Sequence, residues 1–291
     1  MMKSKNVVFA SVLFFSQFIC AQINILNADN PSEIGALSEA QKKQLSENKY
    51  IEYPYVDDKD IMWSKIVYEE IDLSEKFNHP LFFPSDKLYT HERKSLWYTI
   101  RQAIINKKIE NIYAENNPNF SERIGYERVL EIIQNKDWDL VIASKDISSY
   151  LIKGIWYVDK RYGQLSYRLL GIKPISKIDI GVEVDILENG SQRSSDDSAR
   201  TPLFWLWYKD LRPILHKQLV FDDKNNASRI TFDQLLTSRR FTSRIIGVDN
   251  VFDDRLLSEM PGLKDDPFMQ LIESERLKNV IRDFEQDLWA N

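Results

Sequence analysis

Regular alternation of apolar and polar residues in the middle of the chain predicts a β-sheet. Residues 150–158 and 164–172 read as two strands, and the polar residues 159–163 between them have the composition of a hairpin connection. Residues 175–186 carry apolar side chains at every second position, which predicts a half-buried strand. Residues 203–208 are apolar throughout, which predicts a central strand or an interface strand.

Two segments nearer the N-terminus have other patterns. Trp63, Val67 and Ile71 recur at helical spacing, yet apolar and polar residues also alternate here as in a strand, so both structures stay open. Residues 79–84 contain two prolines among aromatic and apolar side chains, and we predict an extended passage there.

Helical patterns flank the predicted strands. One helix is predicted over residues 87–107, with Ser85 or Asp86 as its cap, and a second over residues 125–135. A third is predicted over residues 210–219, with Pro213 in its first turn.

The last third of the chain adds two helix signals. Thr231 and Gln234 have the spacing of a capping box that opens a short helix. Residues 268–289 form the clearest helix, with one apolar stripe made by Ile272, Leu277, Val280, Ile281, Phe284 and Leu288. Together these patterns predict an α+β fold, with a small antiparallel sheet in the middle of the chain, segregated helices and a long C-terminal helix.

The first 21 residues have the layout of a secretory signal. Two lysines precede an apolar run over residues 7–19, and a small-residue site before Gln22 suits cleavage. Lipidation of Cys20 is the alternative, although the bulky residues before it fit a lipoprotein signal poorly. Cleavage after Ala21 would leave a mature chain without cysteine, and hence without disulfides. We therefore expect an exported protein.

The mature chain divides by composition. Residues 22–55 are polar and predict an N-terminal arm, either flexible or ordered by a partner. Residues 56–291 form the α+β domain, and the Ser- and Asp-rich residues 188–201 mark a loop or sub-boundary within it.

Charge and hydropathy limit the partners. The chain has 39 Lys and Arg against 44 Asp and Glu, a net charge of −5, which argues against nucleic acid or anionic lipid as the main partner. No segment after the signal is apolar for about 18 residues, so we expect no direct membrane span.

Residues that could carry catalysis are sparse. His79, His91 and His216 are far apart in sequence and lack metal-ligand spacing. Adjacent acids in polar contexts predict solvated turns rather than a glycosidase pair; they are Asp57-Asp58, Asp196-Asp197, Asp222-Asp223, Asp253-Asp254 and Asp265-Asp266. The sequence thus predicts no catalytic, cofactor-binding or metal-binding residues.

Aromatic side chains are the strongest candidates for partner contact. They are Trp156, Trp205, Trp207 and Tyr208, all on predicted strands. Tryptophan and tyrosine favour the centres of interfaces, but a sheet covered on both faces by the chain's own helices is the simpler explanation. A small basic cluster of Arg239, Arg240 and Arg244 is either a solvated face or a docking site.

Long, aromatic-rich strings of residues stand in order along most of the mature chain. In the N-terminal half they are YPYV at 53–56, DIMWSK at 60–65, IDLSEKFN at 71–78 and PLFFP at 80–84. In the C-terminal half they are YKDLRPIL at 208–215, TFDQ at 231–234, ESER at 273–276 and FEQDLW at 284–289. Together these strings resemble the GldN/PorN family.

The resemblance implies a non-enzymatic component of the type IX secretion and gliding machinery of Bacteroidetes. It implies self-association in periplasmic rings with a GldK/PorK-like outer-membrane lipoprotein, and contact with the periplasmic region of a GldM/PorM-like motor protein. The lipoprotein would supply the attachment to the inner face of the outer membrane. An exported enzyme acting on cell-wall glycan and a monomeric periplasmic binding module are the alternatives.

Overall fold

The computed structural model describes residues 49–85, 93–135, 140–178, 200–222, 229–249, 256–260, 262–264 and 266–290, together with Lys43 and Glu47. The chain divides into two compact units, Met1–Glu47 and Asn48–Asn291. Lys43 and Glu47 are helical, and their charged groups lie 3.7 Å apart. All elements described below belong to the second unit.

A seven-stranded antiparallel sheet forms the framework of this unit. Its strands are β1 (Ile61–Asp72), β2 (Ile112–Tyr113), β5 (Ile147–Asp159), β6 (Gln164–Ser176), β7 (Thr201–Pro202), β8 (Trp205–Trp207) and β9 (Arg244–Val248). The strand order is β2-β8-β6-β5-β1-β9, and β7 pairs with β6. A separate two-stranded pair is formed by β3 (Gln134–Asn135) and β4 (Leu140–Val141).

The predicted hairpin is confirmed, and its strands are longer than expected. The turn closes where the Gly163 N–H donates to the Asp159 carbonyl at 2.8 Å, with Gly163 at a φ of +59° that suits glycine. Ile175 and Ser176 continue β6, so a separate strand beginning at Ile175 is wrong. Ile175 and Ser176 still pair with β5, so the alternating pattern there belongs to the end of β6. Residues 179–186 of that prediction lie outside the described residues.

The segment with the ambiguous pattern is the strand β1. Val67 and Ile71 are fully buried, and β1 lies between β5 and β9. Positions four apart share a face in a strand as well as in a helix, which is why the spacing of Trp63, Val67 and Ile71 fitted both.

Six helices are described: α1 (His79–Phe82), α2 (Leu96–Ile105), α3 (Tyr126–Ile133), α4 (Tyr208–Leu215), α5 (Phe232–Thr237) and α6 (Pro267–Ala290). Residues 79–82 form helix α1, so the extended passage predicted there is wrong. Proline is tolerated because Pro80 lies in the first turn, where a backbone N–H has no partner within the helix. Helix α2 does not include residues 93–95, so the prediction of helix from residue 87 is wrong for those three residues. Ser95 is the cap, and its Oγ accepts the Tyr98 N–H at 3.1 Å. Residues 86–92 lie outside the described residues.

The helices of the last third follow the sequence signals with two corrections. Helix α4 begins at Tyr208, so Tyr208 is not in a strand and Pro213 falls beyond the first turn. The capping box of α5 is confirmed: Thr231 Oγ1 accepts the Gln234 N–H, and Gln234 Oε1 accepts the Thr231 N–H. The long C-terminal helix is also confirmed. Helix α3 ends at Ile133, two residues earlier than predicted, because Gln134 begins β3.

Three hydrophobic clusters lie among the described residues, and two of them join helices to the sheet. The larger joins β1, β5, β6 and β8 to α2, α4 and α5, with Trp97, Phe204 and Phe232 fully buried. A smaller cluster attaches α6 to β1 and β9 through Ile281. Because helices and sheet are segregated around these clusters, the α+β prediction is confirmed.

Candidate functional site

The four aromatic residues predicted for partner contact lie in three different surroundings. Trp205 and Tyr208 are buried, at 1 % and 0 % exposure, whereas Trp156 and Trp207 are half-buried. Trp205 and Tyr208 therefore serve the core in this structure. Partner contact through Trp156 or Trp207 stays a prediction.

Phe120 covers the two tryptophans of β8. Its ring centroid lies 5.9 Å from that of Trp205 and 4.9 Å from that of Trp207, both edge-on. Phe120 has a φ of +56°, and a Cβ added at Gly171 would lie 2.4 Å from its ring. Glycine is thus needed at position 171 because the aromatic cover approaches so closely. Phe120, Trp205 and Trp207 therefore pack together over Gly171.

Tyr208 belongs to a buried polar network between α4 and α5. Its hydroxyl donates to Asp233 Oδ1 at 2.9 Å, and burial raises its pKa. Arg212 donates to both oxygens of the same carboxylate, from Nε at 2.8 Å and from Nη2 at 3.2 Å. Arg212 and Asp233 are 4 % and 2 % exposed, so each buried charge needs the other as its counter-ion.

Residues 49–55, the end of the predicted arm, lie against the body as a strap. Arg212 Nη2 donates to the Ile51 carbonyl at 2.6 Å. The rings of Tyr50 and Tyr53 each lie 4.5 Å from the Arg212 guanidinium carbon. Burial raises the pKa of Tyr53. We call residues 49–55 the N-terminal strap; the rest of the predicted arm lies almost wholly outside the described residues.

Two further arginines hold the strap. Arg168 Nη2 donates to the Pro54 carbonyl at 2.7 Å, and Arg161 Nη2 donates to the Tyr55 carbonyl at 3.1 Å. We call Arg161, Arg168 and Arg212 the arginine cradle. Sequence reasoning missed this site, and the only signal was the cluster of tyrosines and a proline at the end of a polar arm.

Trp156 lines an open groove of about 990 Å³ between the sheet and α6. Charged side chains of both signs line most of it: Glu69, Glu70, Asp72, Glu75, Arg200, Arg239, Arg244, Glu275, Lys278, Arg282 and Glu285. Because acids and bases are nearly balanced, the groove has no dominant charge.

Two arginines of the predicted basic cluster form ion pairs in this groove. Arg239 donates to both oxygens of the buried Glu69, at 3.0 and 2.7 Å, and stacks on the rings of Trp156, Tyr167 and Phe241. Arg244 donates to Glu70 at 3.0 Å, and Arg200 pairs with the same carboxylate. Arg240 is exposed. The cluster is therefore not one solvated face.

The two described histidines, His79 and His216, lie in separate surroundings. His79 packs against Phe83, and His216 lies edge-on to Tyr50; His91 is outside the described residues. Asp57 caps a 3₁₀ turn, while the acid pairs at 196–197, 253–254 and 265–266 lie wholly or partly outside the described residues. Over the described part of the chain, no three His, Cys, Asp or Glu side chains form a metal-binding group. No helix there has the length and apolar character to cross a bilayer.

These features define an α+β sheet protein in which arginines neutralise buried carboxylates and hold the peptide strap. The model of a family described as gliding motility associated protein GldN matches residues 56–290. The chain therefore belongs to the GldN family, which confirms the resemblance and implies a component of gliding motility and type IX secretion; this is not a known enzyme family. A search of curated proteins found no match.

Proposed function

We propose that the chain is a non-enzymatic structural subunit of the type IX secretion and gliding machinery. It forms periplasmic rings with a GldK/PorK-like lipoprotein and contacts a GldM/PorM-like motor protein. The observation that carries this proposal is membership of the GldN family over residues 56–290. The predicted signal supports export, and the lipoprotein supplies the attachment to the outer membrane.

The buried carboxylates of the groove support a structural role. Both oxygens of Glu69 accept from Arg239, and both oxygens of Glu70 lie against arginines. A glycosidase needs one carboxyl group to give up a proton and another to attack or to activate water. Carboxylates held in this way are suited to fixing β1 against its neighbours.

The first turns of α6 support contact with other proteins. Four apolar side chains there are 42–68 % exposed, namely Phe268, Met269, Leu271 and Ile272. Apolar side chains clustered at a surface often mark a protein–protein contact. This cluster is a candidate for the surface that meets the lipoprotein or the motor protein.

The test is to tag the C-terminus in the native cell, extract the protein gently and identify what co-purifies. We expect a large assembly that contains a GldK-like lipoprotein. Replacing Phe268 and Leu271 with serine should reduce lipoprotein recovery, whereas Tyr162→Ser, also exposed, should not. A monomer recovered while the lipoprotein is present would contradict the proposal.

A further inference from the structure

The N-terminal strap is bound by the body as a peptide ligand is bound by its receptor. Three cradle arginines, from α4, β6 and the β5–β6 turn, donate to three carbonyls within five residues of strap. Pro54 restricts Tyr53 to an extended backbone, which lowers the entropy lost when the strap docks. The contacts therefore select an extended segment with tyrosines at two set positions.

Body residues fix two of the cradle arginines. Asp233 holds Arg212 through two hydrogen bonds. Asp159 accepts from Arg161 Nε at 3.0 and 3.1 Å and from its Nη2 at 2.6 Å, and these bonds keep the pKa of Asp159 below its usual range. The receptor side of the contact is thus built without the strap.

The strap contributes little to the core. Ile51 is 89 % exposed and Tyr55 is 80 % exposed, and no strap residue belongs to the hydrophobic clusters of the described residues. Its attachment rests on hydrogen bonds and on guanidinium–ring contacts with the three cradle arginines. A strap from an identical chain would satisfy the cradle equally well.

We propose that the strap of one copy occupies the arginine cradle of a second copy. Exchanging an identical element between protomers costs little because every contact is reproduced. The contact is directional, strap to cradle, and such a head-to-tail interface closes into a ring when its rotation permits. This proposal rests on the self-association proposed above and identifies the surfaces that carry it.

Two full-length variants test the exchange. The cradle variant, Arg168→Ala with Arg212→Lys, loses two of the three guanidinium donors to the strap, while lysine keeps a charge beside Asp233. The strap variant, Tyr50→Ala with Tyr53→Ala, keeps the cradle. Two exposed arginines outside the strap and the cradle, Arg128→Ala on α3 and Arg276→Ala on α6, are the matched controls. Circular dichroism and thermal unfolding verify that each variant is folded.

Native mass spectrometry of differently tagged chains then gives the result. We expect each variant alone to self-associate at least about tenfold more weakly than wild type, and the mixture to form a 1:1 heterodimer, because it contains one intact strap and one intact cradle. Both controls should associate as wild type does. A mixture that remains as two monomers overturns the exchange.

The failures of the two proposals are distinguishable. If each variant alone associates as wild type does, exchange is wrong while ring formation through another surface stands. If purified wild type is monomeric, exchange is wrong, and co-purification with the lipoprotein decides the proposed function separately.

Discussion

Arg239 occupies a backbone position that usually belongs to glycine. It follows α5 with a φ of +52°, and its N–H donates to the Leu236 carbonyl while the Arg240 N–H donates to the Leu235 carbonyl. These two bonds form the Schellman motif, whose left-handed residue favours glycine. An arginine here costs about 1 kcal/mol of backbone strain. Its bidentate bond to Glu69 and its three aromatic contacts offset that cost.

We expect Arg239→Gly to destabilise the fold despite relieving the strain. Removing one partner of a buried ion pair costs about 3–5 kcal/mol, so the net loss in free energy of unfolding is about 2–4 kcal/mol. Urea denaturation measures it. Adding Glu69→Gln should recover part of the loss, and exposed Arg240→Ala is the matched control. Equal stability of Arg239→Gly and wild type would show that the contacts of Arg239 contribute no more than the strain of about 1 kcal/mol that they offset.

Lys173 is a second residue in which burial competes with charge. Burial lowers its pKa to about 8, against smaller opposing effects of Glu115 and Glu259. Its Nζ lies 4.9 Å from the Trp205 ring and 3.3 Å from the Glu115 carbonyl. The folded chain therefore releases this proton at lower pH than the unfolded chain, whose lysine titrates near about 10.4.

The contribution of Lys173 to the free energy of unfolding should rise between pH 8 and 10, because the unfolded chain then holds the extra proton. Denaturation of wild type and Lys173→Met across this range isolates it. As the pH rises from 8 to 10, the free energy of unfolding of wild type should increase relative to that of Lys173→Met by on the order of 1 kcal/mol, after allowance for partial exposure. Lys217→Met is the exposed control. A difference independent of pH would contradict the lowered pKa.

At the scale of elements, the C-terminal helix is attached through its middle rather than along its whole apolar stripe. Ile281 is 8 % exposed against β1 and β9, and Phe284 stacks on Trp63 with centroids 4.5 Å apart. Ile272 and Val280, from the same predicted stripe, are 46 % and 47 % exposed. The stripe predicted a helix correctly, but not which of its residues touch the sheet.

Ile281→Ala should therefore loosen α6 locally. Loss of this buried side chain removes about 2 kcal/mol of docking energy, which corresponds to a fall of about 30-fold in amide exchange protection across α6. The sheet should keep its protection. Val280→Ala, one residue away and half-exposed, is the control and should change neither. A uniform loss of protection in sheet and helix would show that α6 unfolds only with the whole unit.

Local signals predicted the elements whose partners are near in sequence. The β5–β6 hairpin and the capping box at Thr231 needed only neighbouring residues, and both are confirmed. Strand β9 has only five residues and pairs with β1, which is far away in sequence, so no local pattern predicted it. The helix at His79 was missed because proline permits a first turn as readily as an extended passage.

For the whole molecule, the sequence predicted the fold class and family better than the candidate site. Which aromatic residue is enclosed depends on loops such as that of Phe120, whose position over Trp205 is set by tertiary contacts. The arginine cradle was hidden for the same reason, since Arg161, Arg168 and Arg212 come from separate elements. Their convergence on residues 51–55 is a property of the folded chain.

The pairing of β1 with β9 imposes an order in time on a chain that emerges from its N-terminus. Lys65 donates to the Asp249 carbonyl across 184 residues, and Val67 pairs with Val248. Until that late strand has emerged, this edge of β1 lacks its native neighbour, and such an edge is a template for wrong pairing. Closure over so long a loop is slow. The β1 edge therefore stays open to wrong partners until residues 244–248 have emerged.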